Sequence, residues 1–172
     1  EAHFPQATVN YYAGHHWYVK DTSNPRVALE MKITGAVAER RSFADCLTEG
    51  TLPHKILLMM EPADCERAER ELQALFPALN IVRSAPHLLE IMDASVNKAS
   101  GIEVMLKHFG LEASDALSFG DNYNDLEMLR YTGASVAMGN APQPVKEAAG
   151  IVTTSNEEDG IYAYLSEHHL IG

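Results

Sequence analysis

The sequence predicts an α/β protein, in which an α+β domain over residues 1–88 is followed by parallel strands and helices over residues 89–172. Aromatic and β-branched residues fill the first part in segments that resemble hairpins. Beyond Ser95, apolar segments of strand length alternate with amphipathic segments, which is typical of parallel crossover units. Gly110 and Gly133 follow two of the amphipathic segments, where glycine commonly ends a helix.

The first domain opens with a predicted hairpin over residues 7–20, and Ala13-Gly14 is its turn. A later segment, residues 62–76, repeats apolar side chains at i, i+4 and i+7, and Pro62 suits the first turn of such a helix. The other predicted elements are a helix over residues 25–31 that Gly35 ends, and strands over residues 54–60, 79–83 and 87–92.

The second domain is predicted to alternate regularly. Its helices cover residues 95–109, 124–132, 142–149 and 156–169, and its strands cover residues 115–119, 134–138 and 151–154. Ser155 and Glu158 fit a capping box at the start of the last helix. The apolar face of that helix is expected to bury four side chains at helical spacing, Ile161, Tyr164, Leu165 and His168.

Composition excludes several classes of partner. With 13 basic and 24 acidic side chains the net charge is -11, which repels nucleic acid and anionic membrane surfaces. No apolar run approaches the roughly 18 residues of a membrane span, and the N-terminus lacks the pattern of a signal peptide. A cytoplasmic protein is expected. Cys46 and Cys65 are interpreted as buried apolar side chains.

The segment LSFGDNYNDLEML, residues 117–129, carries the clearest chemical signal. A buried strand ends at Gly120, and open parallel sheets bind ligands at that edge. The oxygen-bearing side chains of Asp121, Asn122, Asn124 and Asp125 follow as a helix begins, and these are ligands that Mg2+ prefers. The segment therefore predicts a site for Mg2+ and a phosphate. Helix capping is the simpler alternative, and Tyr123 excludes an EF-hand because it occupies a ligand position.

Lys98 is the second unusual residue. It lies on the helix predicted from Ser95, at the head of an apolar stripe whose members are Ile102, Met105, Leu106 and Phe109. A lysine there either extends its ammonium group into solvent at a helix end or neutralises a phosphate or a buried carboxylate near the strand ends. The spacing alone leaves both interpretations open.

With Lys98 followed by GDNYND, VAMGNA at 136–141, VKEAA at 145–149 and TTSNEEDGI at 153–161, the sequence resembles a Cof-type hydrolase of the haloacid dehalogenase (HAD) superfamily. The resemblance is close over residues 85–172, as the C-terminal half of that family's Rossmann-like core. It is looser over residues 7–84, whose layout is similar to an α+β cap domain of the C2B type.

The resemblance implies a role for each site residue. Lys98 would contact the phosphate and the nucleophile, Asp121 would bind Mg2+, and Asn124 would contact the phosphate. Asp125 would hold Lys98 or metal-bound water. Ala99 departs from the family pattern, which has glycine after the lysine.

A second departure is the missing nucleophile. The family places an aspartate pair of the form DxDGT before the cap, yet no two aspartates here are separated by a single residue. The nucleophile and the general acid/base are therefore expected outside this chain, and the chain alone is expected to be inactive.

Three functions remain open from the sequence. The first is a phosphatase of small phosphorylated metabolites that works through an aspartyl phosphate, and the second is a related phosphomutase. The third is a non-catalytic, truncated binding or assembly module. Without further strands the sheet would expose an unpaired edge, which predicts self-association. The sequence does not identify the substrate.

Overall fold

The computed structural model describes residues 3–171 and divides the chain into two compact units, between Ala94 and Ser95. The sequence places the boundary between residues 88 and 89 instead. Strand Leu88–Asp93 pairs with two strands of the first unit, so residues 89–93 belong to that unit's sheet. Within the described range, no helix combines the length and the apolar character that crossing a bilayer requires.

The first unit contains, in chain order, β1 Thr8–Ala13, β2 His16–Val19, α1 Pro25–Thr34, β3 Glu39–Arg40, α2 Phe43–Thr48, β4 Lys55–Met59, α3 Pro62–Leu75, β5 Leu79–Ala85 and β6 Leu88–Asp93. Its strands form one six-stranded sheet with the order β3-β2-β1-β4-β6-β5. All neighbouring strands pair antiparallel except β2 and β3, which are parallel.

Alternation along β4 separates the two faces of this sheet. Leu57 and Met59 point to the face that α1 covers, whereas Leu58 points to the face that α3 covers. Helix α2 packs on the α3 side through Cys46, which is fully buried. The first unit therefore has a core on each side of its sheet.

A buried asparagine fixes the register of three strands. Asn10 donates from Nδ2 to the carbonyls of Thr8 and Leu57, each at 3.1 Å, and its Oδ1 accepts the Trp17 indole N–H at 3.0 Å. Both N–H groups of the side-chain amide therefore have acceptors inside the sheet. Because a slip by one residue would bury the amide without partners, Asn10 selects one alignment of β1, β2 and β4.

The predicted hairpin, both longer helices and the three later strands of this unit are confirmed. Gly35 ends α1 with a φ of 71°, in the left-handed region. No sequence pattern predicts the short elements β3 and α2. Strand β3 has only two residues, both charged, and owes its assignment to pairing with β2.

The elements of the second unit are α4 Lys98–Phe109, β7 Leu117–Gly120, α5 Leu126–Tyr131, β8 Ala134–Ala137, α6 Gln143–Ala148, β9 Ile151–Val152 and α7 Gly160–Glu167, with single 3-10 turns at Ala113–Asp115, Tyr123–Asp125 and Asn156–Glu158. Its strands form the predicted parallel sheet, with the order β7-β8-β9. One cluster of buried side chains packs α5 and α6 against β8, through Leu129, Ala137, Val145 and the loop residue Ala141.

The last helix is shorter than predicted. A 3-10 turn occupies Asn156–Glu158 and α7 spans Gly160–Glu167, so His168 lies beyond its end. Tyr164 is buried and Leu165 half-buried, but the expected burial of Ile161 and His168 is wrong, because both are exposed. The predicted contact between Ser155 and Glu158 is present, since both the hydroxyl and the backbone N–H of Ser155 donate to Glu158.

Helix α4 begins later than predicted. Asn97 caps it by accepting the N–H of Ser100 at 2.9 Å, so Lys98 is the first helical residue. Its apolar stripe is only partly covered, with Met105 and Phe109 exposed. Gly110 ends the helix in the left-handed conformation, whereas Gly133 directly follows the cap of α5 with an ordinary φ.

Candidate functional site

The predicted site is built on a tight turn after strand β7. The strand ends at Gly120, and the 3-10 turn Tyr123–Asp125 follows, capped by Asn122. The backbone N–H groups of Asp121 and Asn122 both donate to Oδ2 of Asp125, at 2.9 and 3.0 Å. The carboxylate of Asp125 therefore stabilises the turn by binding the backbone at its start. Asp121 and Asn124 lie in this turn, next to the end of the strand.

Glycine is required where the strand meets this turn. A Cβ on Gly120 would lie 2.6 Å from the Cβ of Asp125 and 3.1 Å from a methyl group of Leu129. Side-chain carbons do not approach so closely, and the Gly120 backbone is thus in direct contact with the Asp125 side chain. This contact with Asp125 explains why the strand ends in glycine at position 120.

Lys98 reaches this turn from the first position of α4. Its ammonium group donates to Oδ1 of Asp125, so both oxygens of that carboxylate have partners. The Lys98 side chain is 49% exposed, whereas that of Asp125 is 4% exposed. One side of the cation therefore faces a buried anion, and the rest remains available to a second anion from solvent.

Asp121 has a different environment from Asp125. It is exposed, and its Oδ2 accepts a hydrogen bond from Nδ2 of Asn140 at 3.2 Å. Asn140 follows strand β8, and its own Oδ1 accepts the backbone N–H of Asn156 at 3.0 Å. The site thus includes Asn140, from the loop after β8. This residue belongs to the segment VAMGNA, but the sequence does not predict a role for it at the site.

The four residues predicted for the site lie together in the second unit. Lys98 contacts Asp125 directly, Asp125 contacts the backbone of Asp121, and Asn124 is the central, half-buried residue of the same 3-10 turn. Their individual roles remain predictions. Asn122 acts as a cap of this turn, since its Oδ1 accepts the N–H of Tyr123.

The donor set fits part of a Mg2+ site. Within residues 3–171 no group of three or more His, Cys, Asp or Glu side chains is arranged to hold a metal. Mg2+ typically takes one or two carboxylates and completes its shell with waters and substrate phosphate. Asp121, exposed and turned toward solvent, fits as one such carboxylate, whereas both oxygens of Asp125 are already engaged.

Two of the eight histidines have partners away from the site. His16 pairs through Nδ1 with Glu39 at 2.8 Å, on the first unit. His168 places Nδ1 2.8 Å from the carbonyl of Tyr164 and stacks on that ring. Both have a structural explanation within their own units.

Comparison with known proteins points to one family. A family profile described as haloacid dehalogenase-like hydrolase matches residues 2–165. A putative phosphatase of Haemophilus influenzae is 38% identical over 166 residues, which cover 96% of this chain and 62% of that protein. A solved haloacid dehalogenase-like hydrolase from Bacteroides thetaiotaomicron is 32% identical with a TM-score of 0.74, over 96% of this chain and 62% of that one.

A sugar phosphatase of HAD subclass IIB has a TM-score of 0.82 and 27% identity, over 99% of this chain and 64% of that one. This chain therefore spans 62% to 64% of the length of these three relatives. The matched region includes both units and every site residue described above. The chain belongs to the haloacid dehalogenase-like hydrolase family.

Proposed function

We propose that this chain is part of a Mg2+-dependent phosphatase that hydrolyses small phosphorylated metabolites through an aspartyl-phosphate intermediate. The observation that carries the proposal is the pairing of half-exposed Lys98 with buried Asp125, next to exposed Asp121 at the end of a parallel strand. A cation and a free carboxylate at this edge of a sheet suit a phosphate and its metal ion.

Each residue has a distinct task in this proposal. Lys98 attracts the phosphate oxygens with the part of its ammonium group that faces solvent, while Asp125 holds the lysine in place. Asn124 donates its amide N–H groups to the phosphate, and Asp121 holds Mg2+. When bound, the metal ion offsets negative charge on the transferring phosphoryl group. Together these residues bind and orient the phosphate but provide no nucleophile.

The attacking aspartate and the general acid/base belong, in this proposal, to residues outside this chain. Among its aspartates, Asp121 and Asp125 are engaged in the site, and no pair has the DxD spacing. Support comes from length, since the chain spans 62% of the Haemophilus influenzae relative. The complete enzyme would break the P–O bond of the ester, form a P–O bond to aspartate, and then transfer the phosphoryl group to water.

The first unit is proposed to act as the cap that selects the substrate. It is an independent sheet with its own two cores, as a recognition domain requires. One relative of similar structure is a sugar phosphatase, so sugar phosphates are the first substrates to test. Because such metabolites are made and consumed in the cytoplasm, we propose that compartment for the protein.

The deciding experiment measures inorganic phosphate released from a panel of sugar phosphates and phosphorylated cofactors. It uses the natural polypeptide that contains this chain, at full length, with Mg2+ and with excess EDTA. Steady release that requires Mg2+ supports the phosphatase. Conversion of one phosphate isomer to another without net release favours the phosphomutase, and neither activity across the panel favours the non-catalytic module.

Self-association remains a separate proposal. Strand β7 is an outer strand of the three-stranded sheet, and α4 leaves Met105 and Phe109 exposed in the same unit. An open strand edge and exposed apolar side chains each favour pairing between copies. Light scattering of the purified chain tests this, and a monodisperse monomer at high concentration would contradict it.

A further inference from the structure

The loops that follow β8 and β9 are bonded to each other through their backbones. Gly139 donates its N–H to the carbonyl of Thr154 at 3.0 Å, and Thr153 donates to Ala137 at 2.9 Å. A Cβ on Gly139 would lie 2.8 Å from the backbone nitrogen of Ser155, so only glycine permits this approach. These contacts hold the loop that carries Asn140 in one place relative to the loop that carries Asn156.

The β8 loop is also bonded to the strand of the site. Met138 donates its N–H to the carbonyl of Gly120 at 2.9 Å, directly before Asp121. Asn140 therefore starts from a backbone that is fixed on two sides. Its side chain spans from the β9 loop to Asp121.

The Asn140 amide has only one orientation that satisfies both neighbours. The backbone N–H of Asn156 is a donor and needs the amide oxygen, which it meets at 3.0 Å. The Asp121 carboxylate is an acceptor and needs the amide nitrogen, which it meets at 3.2 Å. A flipped amide would place a donor against a donor and an acceptor against an acceptor.

We propose that Asn140 is a positioning residue for the metal-binding carboxylate of Asp121, and that the Asn156 N–H fixes the Asn140 amide for this task. This inference rests on the proposed function, because it assumes that Asp121 holds Mg2+. Groups that hold a metal-binding side chain in place raise the affinity of the site for the metal ion, because they restrict the orientation of that side chain. Asp121 is exposed, so without Asn140 its carboxylate would sample several rotamers.

An amide suits this task better than a cation. Lysine and arginine would neutralise Asp121, whereas the Asn140 amide is uncharged and leaves the full negative charge for the metal ion. The chain separates the two tasks, since Lys98 pairs with Asp125 and Asn140 bonds Asp121.

The test compares three variants of the full-length natural polypeptide: Asn140→Ala, Asn156→Pro and Asn156→Ala. Asn156→Pro removes the N–H that bonds Asn140, at the first position of a 3-10 turn, where proline fits. The preceding Ser155 has φ -70° and ψ 167°, which is the extended conformation that a following proline favours. Asn156→Ala keeps the N–H and removes only an exposed side chain, so it is the matched control.

The measurement is the dissociation constant of Mn2+, used as a spectroscopic substitute for Mg2+ and followed by the EPR signal of free Mn2+. Asn140→Ala and Asn156→Pro are expected to raise this constant about tenfold or more, and Asn156→Ala to leave it within about twofold. Circular dichroism and thermal unfolding identify any variant that fails to fold, and the other variant then decides.

Two results would overturn the inference in distinguishable ways. If the wild type binds Mn2+ and both Asn140→Ala and Asn156→Pro bind it equally well, Asn140 has no positioning role, although the proposed function stands. If the wild type binds no Mn2+ and Asp121→Asn changes nothing, the metal assignment fails, and this inference fails with it.

Discussion

The ammonium group of Lys98 pairs with the buried carboxylate of Asp125, whose other oxygen accepts two backbone N–H groups of the turn after β7. This one carboxylate therefore links the start of α4, the end of a strand and the turn that presents Asp121. The same side chain therefore supports both the local fold and the proposed phosphate site.

Replacing Lys98 is expected to destabilise the fold. Lys98→Met leaves the buried Asp125 carboxylate without its counter-charge and is expected to lower the free energy of unfolding by about 1–3 kcal/mol. Half of the Lys98 side chain is exposed, which keeps the loss toward the lower end of that range. Urea unfolding measures the change.

The double variant Lys98→Met with Asp125→Asn is expected to lose less than the sum of the single variants, because no buried charge then remains unpaired. Lys107→Met is the control, since its ion pair with Glu103 on the same helix is exposed and is expected to contribute little to stability. An effect of Lys98→Met no larger than that of Lys107→Met would contradict the assignment.

Asp121→Asn is expected to separate activity from stability. Asp121 is exposed and its side chain bonds Asn140, so the free energy of unfolding should change by about 0.5 kcal/mol or less. Loss of the metal carboxylate should lower Mg2+-dependent phosphate release by the full-length polypeptide about 100-fold or more. Glu127→Gln, an exposed carboxylate on α5, is the control and should keep full activity. Full activity in Asp121→Asn would exclude the proposed metal role.

The 172-residue chain alone is expected to show no steady hydrolysis of p-nitrophenyl phosphate with Mg2+. Lys98, Asn124 and Asp121 bind and orient a phosphate, but none of them attacks phosphorus. The assay needs a preparation of verified mass and a parallel full-length sample. Steady turnover by the chain alone would mean that the chain itself contains the nucleophile.

Gly120→Ala and Gly101→Ala are expected to change stability in opposite directions. A Cβ at Gly120 would collide with Asp125, so this variant should lose about 1–3 kcal/mol and shift the turn. Gly101 lies inside α4 with no atom within 4 Å of its Cβ position, so alanine there should gain about 0.5–1 kcal/mol. Thermal unfolding reports both signs, and equal shifts would show that the close contact at Gly120 is not rigid.

The Cys65 thiol supplies a prediction about pH. Burial raises the pKa of this thiol to about 11, so the folded chain keeps it protonated where an unfolded chain ionises it, above its ordinary value of 9.0. The contribution of this thiol to stability is therefore complete below pH 9 and is lost as the pH rises toward 11. Unfolding measured across this range should show a steeper decline for wild type than for Cys65→Ala.

Thiol labelling checks the same burial independently. Cys46 and Cys65 are both buried, so Ellman's reagent at pH 8 should react with neither in the folded chain and with both in denaturant. Rapid labelling of the native chain would contradict this.

The grouping of Asp121 with Asp125 could be predicted from sequence, because both follow a buried strand at the edge where parallel sheets bind ligands. The contact of Lys98 with Asp125 is implied only by the resemblance to the family, since the helical spacing leaves the role of Lys98 open. Asn140 could not be assigned, since its contact with Asp121 depends on the pairing of β7 with β8 and on the path of a loop. The helical spacing wrongly predicts that Ile161 and His168 are buried, because the helix covers only Gly160–Glu167, with Ile161 in its first turn and His168 beyond its end. Strand β3 is not predicted because its two residues are both charged and form no strand pattern.

The buried amide of Asn10 has a consequence for how this protein can change over time. Because its partners on β1, β2 and β4 are all internal, the alignment of these three strands does not depend on exposed side chains. Substitutions among exposed side chains of these strands can therefore accumulate without shifting their register. Under the cap role proposed above, the first unit could acquire a new substrate preference in this way while Lys98, Asp121 and Asp125 stay unchanged.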